Sequence, residues 1–373
     1  MSGNVVRLRK RLYGLKQASR SWHKHLVSGM KGLGFEQSET DPCVLHLQED
    51  GIVSVVIVVH VDDIFAAGLK SRFDKVCENL NAFVPVNNLG ELEWYAGCHF
   101  TRDQVAGTLE IFQQVFAEGM VKTFCVTKSK RIPMAVGMKL EECDDDEHDV
   151  DEPFRSLVGH LMWLVNQTRP DILNAVRAVA RYCSSPKRVH WEAALRIVMY
   201  VKGTSEYGIT FQRGGGLDME VYVDSDYASK ATDRRSVSGV VVMCAGACVS
   251  FMSRTQKCMT VSSTEAEYVA MAEGFCEAIF LRYIWTFIFP GMDLSCTKVW
   301  EDNAGAIHLA KNLARTDNSK HIDVRHHFLR EHVDNGEFEV KHVASVDKHA
   351  DFLTKPLHLE AFARHRDFVM NIG

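Results

Sequence analysis

Four acidic segments in the last third of the 373-residue chain carry side chains able to do chemistry: Val221-Tyr222-Val223-Asp224, Thr264-Glu265-Ala266-Glu267-Tyr268, Trp300-Glu301-Asp302-Asn303 and His349-Ala350-Asp351-Phe352. A carboxylate ending an apolar strand, one on a helix, one ending a second strand and one on a late helix can converge on two divalent cations. Such a pair of ions hydrolyses phosphodiester bonds. Each segment alone says little, because an Asp after a strand is more often a turn residue or a helix N-cap than a metal ligand. Together, in this order, they read as a nuclease.

The elements that must position them follow from hydrophobic period. Residues 219–223 are β-branched and aromatic and run into Asp224-Ser225-Asp226, as a strand ending in carboxylates does. Residues 238–243 turn at Ala245-Gly246-Ala247 into 248–252, a hairpin signal. Ser262-Ser263-Thr264-Glu265 supplies N-cap chemistry for an apolar-periodic helix over 266–287. A short strand at 298–300, a helix over 304–310 behind Asp302 and a last strand at 337–342 complete the order, with Asp351 after it. Three hairpin-connected strands, helix, strand, helix, strand, helix predict a mixed five-stranded α/β sheet.

These blocks carry a resemblance. Asp224-Ser225-Asp226-Tyr227-Ala228, Arg234-Arg235-Ser236-Val237-Ser238-Gly239, Ser262 through Tyr268, Glu301-Asp302-Asn303, Lys320-His321-Ile322-Asp323-Val324-Arg325 and Ala350-Asp351-Phe352-Leu353-Thr354-Lys355-Pro356 resemble, in order, the RNase H domain of copia-type retrotransposon polyproteins. The N-terminal part resembles the reverse transcriptase of the same elements, in Leu12-Tyr13-Gly14-Leu15-Lys16-Gln17-Ala18-Ser19-Arg20-Ser21-Trp22, His60-Val61-Asp62-Asp63, Leu89-Gly90-Glu91-Leu92 and Tyr95-Ala96-Gly97.

The resemblance implies that Asp224, Glu267, Asp302 and Asp351 hold two Mg²⁺, or Mn²⁺, about 4 Å apart, one activating water and one steadying the leaving oxygen. Near neighbours compete for two of these roles. Asp224 is preferred to Asp226 because it directly follows the strand, and Glu267 to Glu265 because Glu265 sits where a cap places an exposed acid. The resemblance further makes Gln17, Asp62 and Asp63 the remnant of a polymerase site. A reverse transcriptase needs another Asp upstream of Leu12, His60 replaces the usual aromatic residue, and Ser19 stands where the family has Pro. Lost polymerase activity is therefore expected. His321, Asp323, His326 and His327 look like metal ligands, but the family pattern contains the same Lys320-His321-Ile322-Asp323 run outside the catalytic acids, which implies a structural or substrate-facing role.

Composition bounds the rest. A formal net charge of -5 is not that of a globally basic nucleic-acid binder, so hybrid binding needs a local basic face. Arg9, Lys10, Arg11, Lys16 and Arg20, with Tyr13 and Trp22 interleaved, are the candidates near the start, against the plainer reading of a solvated helix. Eleven cysteines without paired spacing, and no apolar signal segment behind Met1, predict reduced thiols inside the cell and no secretion, and the resemblance implies the cytoplasm, in a virus-like particle, or the nucleus. Cys244 and Cys248 lack a second ligand pair for zinc. Residues 52–59 are too few to span a membrane and fit a hairpin with Asp62 and Asp63 at its turn.

Residues 141–152 are mostly acidic, with almost no apolar side chains to bury, and predict a solvated linker or long loop; 157–182 and 190–200 read as helices interrupted at Pro170 and Pro186; Gly214-Gly215-Gly216 precedes the first nuclease strand. The expected organisation is an α+β palm and thumb remnant over 1–140, an acidic linker over 141–152, a helical connection over 153–213 and an RNase H-like α/β domain over 214–373. The expected function is Mg²⁺-dependent hydrolysis of the RNA strand of RNA–DNA hybrids. Template–primer nucleic acid and other products of the same polyprotein are the further partners. The alternatives are a non-catalytic nucleic-acid-binding relic, or a polymerase completed by a segment upstream.

Overall fold

A computed structural model describes residues 12, 14–138, 140, 148–228, 234–312 and 320–372, with 320–326 by backbone alone. It divides into two compact units: Met1–Ala96 with Phe280–Asp293, and Gly97–Ile279 with Leu294–Gly373. Arg9, Lys10, Arg11, Tyr13, residues 141–147 of the acidic stretch and the side chains of 321–326 lie outside the described residues. Among the described residues, no helix is long and apolar enough to cross a membrane.

In the first unit, helix α1 (Ala18–Gly32) buries Leu26, Val27 and Met30, one stripe at helical spacing. Strands β1 (Phe35–Gln37), β2 (Val44–Glu49), β3 (Ile52–His60) and β4 (Asp63–Gly68) form an antiparallel meander in that order. Alternation in β3 sends Val55, Ile57 and Val59 inward, where Val76 and Leu80 of α2 (Lys70–Asn81) join the same core. The turn between β3 and β4 places Val61 at a φ of 57°, with Trp22 Nε1 donating to Val61 O at 2.7 Å. A two-residue strand β5 (Trp94–Tyr95) follows.

The second unit opens with β6 (Cys98–Asp103), β7 (Thr108–Phe112) and α3 (Gln114–Thr123). Helices α4 (Phe154–Val165), α5 (Leu173–Ala180) and α6 (Arg188–Lys202) then bury Leu161, Val176 and Ile197 in one core. A short 3-10 turn at Pro170–Ile172 leads into α5, as expected of a Pro that cannot continue a helix but can begin one. The stretch expected as a helical connection also contains β8 (Gly208–Gln212), which pairs antiparallel with β7. Ahead of α4, Asp149 accepts from Ser185 Oγ at 2.6 Å and pairs with Lys187 Nζ at 3.1 Å, so this end of the acidic stretch is tethered.

The expected mixed sheet is present. Its strands are β9 (Met219–Asp226), β10 (Val237–Cys244), β11 (Ala247–Thr255), β12 (Thr297–Glu301) and β13 (Phe338–His342), in spatial order β11-β10-β9-β12-β13. The first three pair antiparallel, while β12 runs parallel to both β9 and β13. Every residue of β10 is buried, the near-continuous apolar run of a strand covered on both faces. Helix α7 (Ser263–Ile288) approaches closely because Gly274 has no side chain: a Cβ there would stand 2.8 Å from Val223 Cγ1. Helices α8 (Ala304–Lys311), α9 (Lys320–Asp334) and α10 (Leu359–Met370) complete the unit.

Candidate active site

Asp224 lies near the end of β9, the central strand, and is 2 % exposed. Asp226, two residues on, is only half-buried and ends the strand opposite Val237. Directly across from Asp224 on β10 stands Gly239, where a Cβ would meet Thr354 Cγ2 at 2.7 Å and Ala350 O at 3.0 Å. The missing side chain lets residues 350–354 lie against the sheet beside Asp224. Thr354 Oγ1 donates to Asp224 Oδ2 there. The Gly239→Ala variant therefore must displace that segment. We expect a stability loss of about 1–3 kcal/mol, read as a lowered thermal midpoint. An unchanged midpoint would contradict this role for Gly239.

On α7 the two glutamates separate. Glu265 Oε2 accepts from Val261 N at 2.7 Å in an exposed cap, and Ser262 Oγ accepts from Glu265 N at 3.1 Å. Glu267 is buried and faces the sheet's carboxylates. On β12 the burial alternates, with Thr297, Val299 and Glu301 inward and Lys298 outward. Glu301 is therefore buried, with Oε1 accepting from Asn303 N at 2.8 Å. Asp302 follows the strand and accepts from Ser345 Oγ at 3.0 Å. Asn303 caps α8 by accepting from Ala306 N.

Asp351 is not on a helix, contrary to expectation. It begins a 3-10 turn, Asp351–Leu353, and α10 starts only at Leu359, because Pro356 restricts the backbone before it and offers no N–H to a helix. Its carboxylate pairs with Lys355 Nζ at 3.1 Å.

Glu267, Glu301 and Asp302 each offer an oxygen within 4.8 Å of the others. Among them lies Lys348 Nζ, at 2.8 Å from Asp224, 3.0 Å from Glu267, 3.6 Å from Glu301 and 2.5 Å from Asp302. Glu267 Oε2 and Glu301 Oε2 are buried with no hydrogen-bond partner among the described residues. Burial, then the neighbouring Glu301 and Asp224, push Glu267 up to about 9. Burial pushes Glu301 up to about 7, and burial with Asp224 does the same for Asp351. Burial also works against the Asp224 anion, yet Lys348 and Lys355 hold it below the usual carboxylate range. Lys348 is raised despite its burial, because Asp224, Glu301 and Glu267 surround it.

The site thus brings together Asp224, Glu267 and Asp302, with Asp351 in electrostatic contact through Asp224. Two members escaped the motif reading. Glu301 was legible in the inward alternation of β12, whereas Lys348, in a charged Asp347-Lys348-His349 run, gave no sign of being buried. An all-oxygen set with orphaned buried carboxylate oxygens fits a hard divalent cation such as Mg²⁺ or Mn²⁺.

The first unit holds the other candidates. Asp62 and Asp63 sit exposed at the β3–β4 turn, with His60 paired to Asp63 across it. Tyr95, its hydroxyl 3.3 Å from Val58 O, is pushed up to about 12 by burial and then by Asp63. Gln17 precedes α1, and Lys16 and Arg20 are exposed. Among the described residues, Asp62 and Asp63 belong to no cluster of three ligating side chains.

A mixed sheet in the order β11-β10-β9-β12-β13, with carboxylates from β9, α7 and the end of β12 gathered at one point, is the arrangement expected of an RNase H-like domain. A family model described as reverse transcriptase (RNA-dependent DNA polymerase) matches residues 1–136. The retrovirus-related Pol polyprotein from transposon TNT 1-94 of Nicotiana tabacum is 31% identical over 376 residues, covering 98% of this chain and 28% of that protein. That from transposon RE1 of Arabidopsis thaliana is 34% identical over 373 residues, covering 99% of this chain and 25% of the relative. Among solved structures, the foamy viral protease-reverse transcriptase in complex with dsDNA shares 11% identity at a TM-score of 0.46, over 90% of this chain and 60% of that one. The chain belongs to the Pol polyproteins of copia-type retrotransposons. It spans about a quarter of the length of the curated relatives it matches.

Proposed function

We propose that this chain hydrolyses the RNA strand of RNA–DNA hybrids at the carboxylate cluster of the second unit, acting inside the cell. The observation carrying this reading is the convergence of Asp224 from β9, Glu267 from α7, and Glu301 and Asp302 from the end of β12 within 3.6 Å of a single point marked by Lys348 Nζ. Asp224, Glu267, Asp302 and Asp351 are the proposed ligands of two Mg²⁺, with Mn²⁺ able to substitute. When bound, the ions supply a nucleophile at neutral pH and charge for the leaving oxygen. The residues of the chain contribute fixed geometry. Asp224 is held by Thr354 and by its strand, Glu301 by the Asn303 amide, and Asp302 by Ser345. Burial keeps water from screening the negative site.

The domain reading stands as a proposal beside it: a polymerase-derived portion over 1–140, linker over 141–152, helical connection over 153–213 and nuclease over 214–373. In that reading Asp62, Asp63 and Gln17 derive from a polymerase site, and Lys16 and Arg20, exposed near α1, contact template–primer backbone. The test is incubation of the purified chain with a labelled RNA–DNA hybrid and Mg²⁺, with double-stranded DNA as control. We expect RNA-strand fragments from the hybrid alone. Hybrid binding without fragments would favour the second reading, a non-catalytic binding relic, which the buried ammonium among the acids also favours.

A further inference from the structure

The four acids already hold one cation. We propose that Lys348 is a resident competitor for the divalent-metal position, so that metal enters only as its ammonium withdraws. This inference rests on the metal-site reading given above and adds a control element to it.

Lys348 is 1 % exposed, and its Nζ contacts all four carboxylates. A cation bound by the same oxygens needs them at about 2.0–2.1 Å for Mg²⁺. An ammonium 2.5 Å from Asp302 and 2.8 Å from Asp224 leaves no room for a metal ion between those oxygens. The two occupants are exclusive. Two facts show that the ammonium does not satisfy the site: an ammonium has three protons for four acids, and Glu267 Oε2 and Glu301 Oε2 remain unpaired and buried.

Withdrawal asks only that the Lys348 side chain move. Lys348 lies between the 3-10 turns Ser345–Asp347 and Asp351–Leu353, with its carbonyl accepting from Asp351 N at 3.0 Å. Its backbone is therefore fixed, while the four-carbon stem can swing by rotamer change alone. The same segment carries Ser345, bonded to Asp302, and Asp351, bonded to Lys355. One proposed metal ligand, the partner of another, and the competitor share one short stretch of chain. The resident ammonium compensates the buried acids when metal is scarce, which keeps the metal-free fold intact at the expense of metal affinity.

The test is calorimetric titration of Mg²⁺, with Mn²⁺ binding by electron paramagnetic resonance, into the full unmodified chain and the Lys348→Gln and Lys348→Met variants. Removing a unit charge at these separations should tighten binding by at least about tenfold. Thermal unfolding gives a second reading: the variants should melt lower than the unmodified chain in chelator and recover with Mg²⁺. Equal, measurable affinity in all three chains overturns the competitor role and leaves the metal site standing. Absence of binding by any folded chain overturns the metal site itself. Should the variants fail to fold, amine acylation of the unmodified chain followed by mass spectrometry decides the matter. Lys348 is expected to be protected in chelator and modified with saturating Mg²⁺, and unchanged protection overturns the proposal.

Discussion

The Asp302→Asn variant is expected to cut the RNA strand of a hybrid on the order of a thousandfold more slowly, equivalent to about 4 kcal/mol of transition-state stabilisation. Asp302 presents one carboxylate oxygen to the shared point, 2.5 Å from Lys348 Nζ, and the other to Ser345. An amide keeps the shape and removes a ligand charge. Hybrid affinity depends mainly on phosphate contacts and on the form and 2′-hydroxyls of the duplex, none of which this change touches. Fluorescence anisotropy with a labelled hybrid should therefore give nearly the same Kd for both chains. A variant that loses binding and cutting together would move Asp302 out of the metal site and into substrate contact.

The second large effect is on stability. Arg169 is fully buried, donates to both Asp171 oxygens at 2.9 and 2.8 Å, and also donates to Thr204 O at 2.8 Å and Thr204 Oγ1 at 2.7 Å. Tyr200 OH donates to Asp171 Oδ2 at 2.7 Å. Burial opposes the guanidinium charge, but Asp171 beside it raises the group above its ordinary value. Arg169→Met leaves Asp171 buried with one donor, so the cost should be about 3–5 kcal/mol. For a unit of this size that lowers the melting temperature by roughly 10 °C. Replacing both members, Arg169→Met with Asp171→Leu, should recover much of the loss, since no unpaired charge remains. If the double variant melts no higher than the single one, the pair is not the source of the stability.

What the sequence disclosed, and what it withheld, follows from range of interaction. Strands β9, β10 and β12 and helix α7 were readable because their apolar runs and caps are local. Glu265 and Glu267 could be told apart by cap chemistry, and the structure places the first in solvent and the second among the acids. By contrast, β8 pairs with β7, a partner about a hundred residues upstream, and no local pattern in Gly208 to Gln212 announces it. The Asp351 segment was expected in a helix, yet Pro356 and the open face above Gly239 settle it as a tight turn on the sheet. Lys348 was illegible for another reason. A lysine is buried only where several anions converge, and convergence is a property of the fold rather than of neighbours in sequence.

The most direct test of the carboxylate centre compares hybrid hydrolysis by the unmodified chain, Glu267→Gln and Glu265→Gln under saturating Mg²⁺. Both changes replace a carboxylate by an amide of the same shape in one turn of α7, the first among the buried acids and the second in the exposed cap. Glu267→Gln should lose activity on the order of a hundredfold or more, as removal of a group acting on the transition state does. Glu265→Gln should stay close to the unmodified rate. Equal losses in the two variants, with hybrid binding preserved in both, would contradict the assignment of the site.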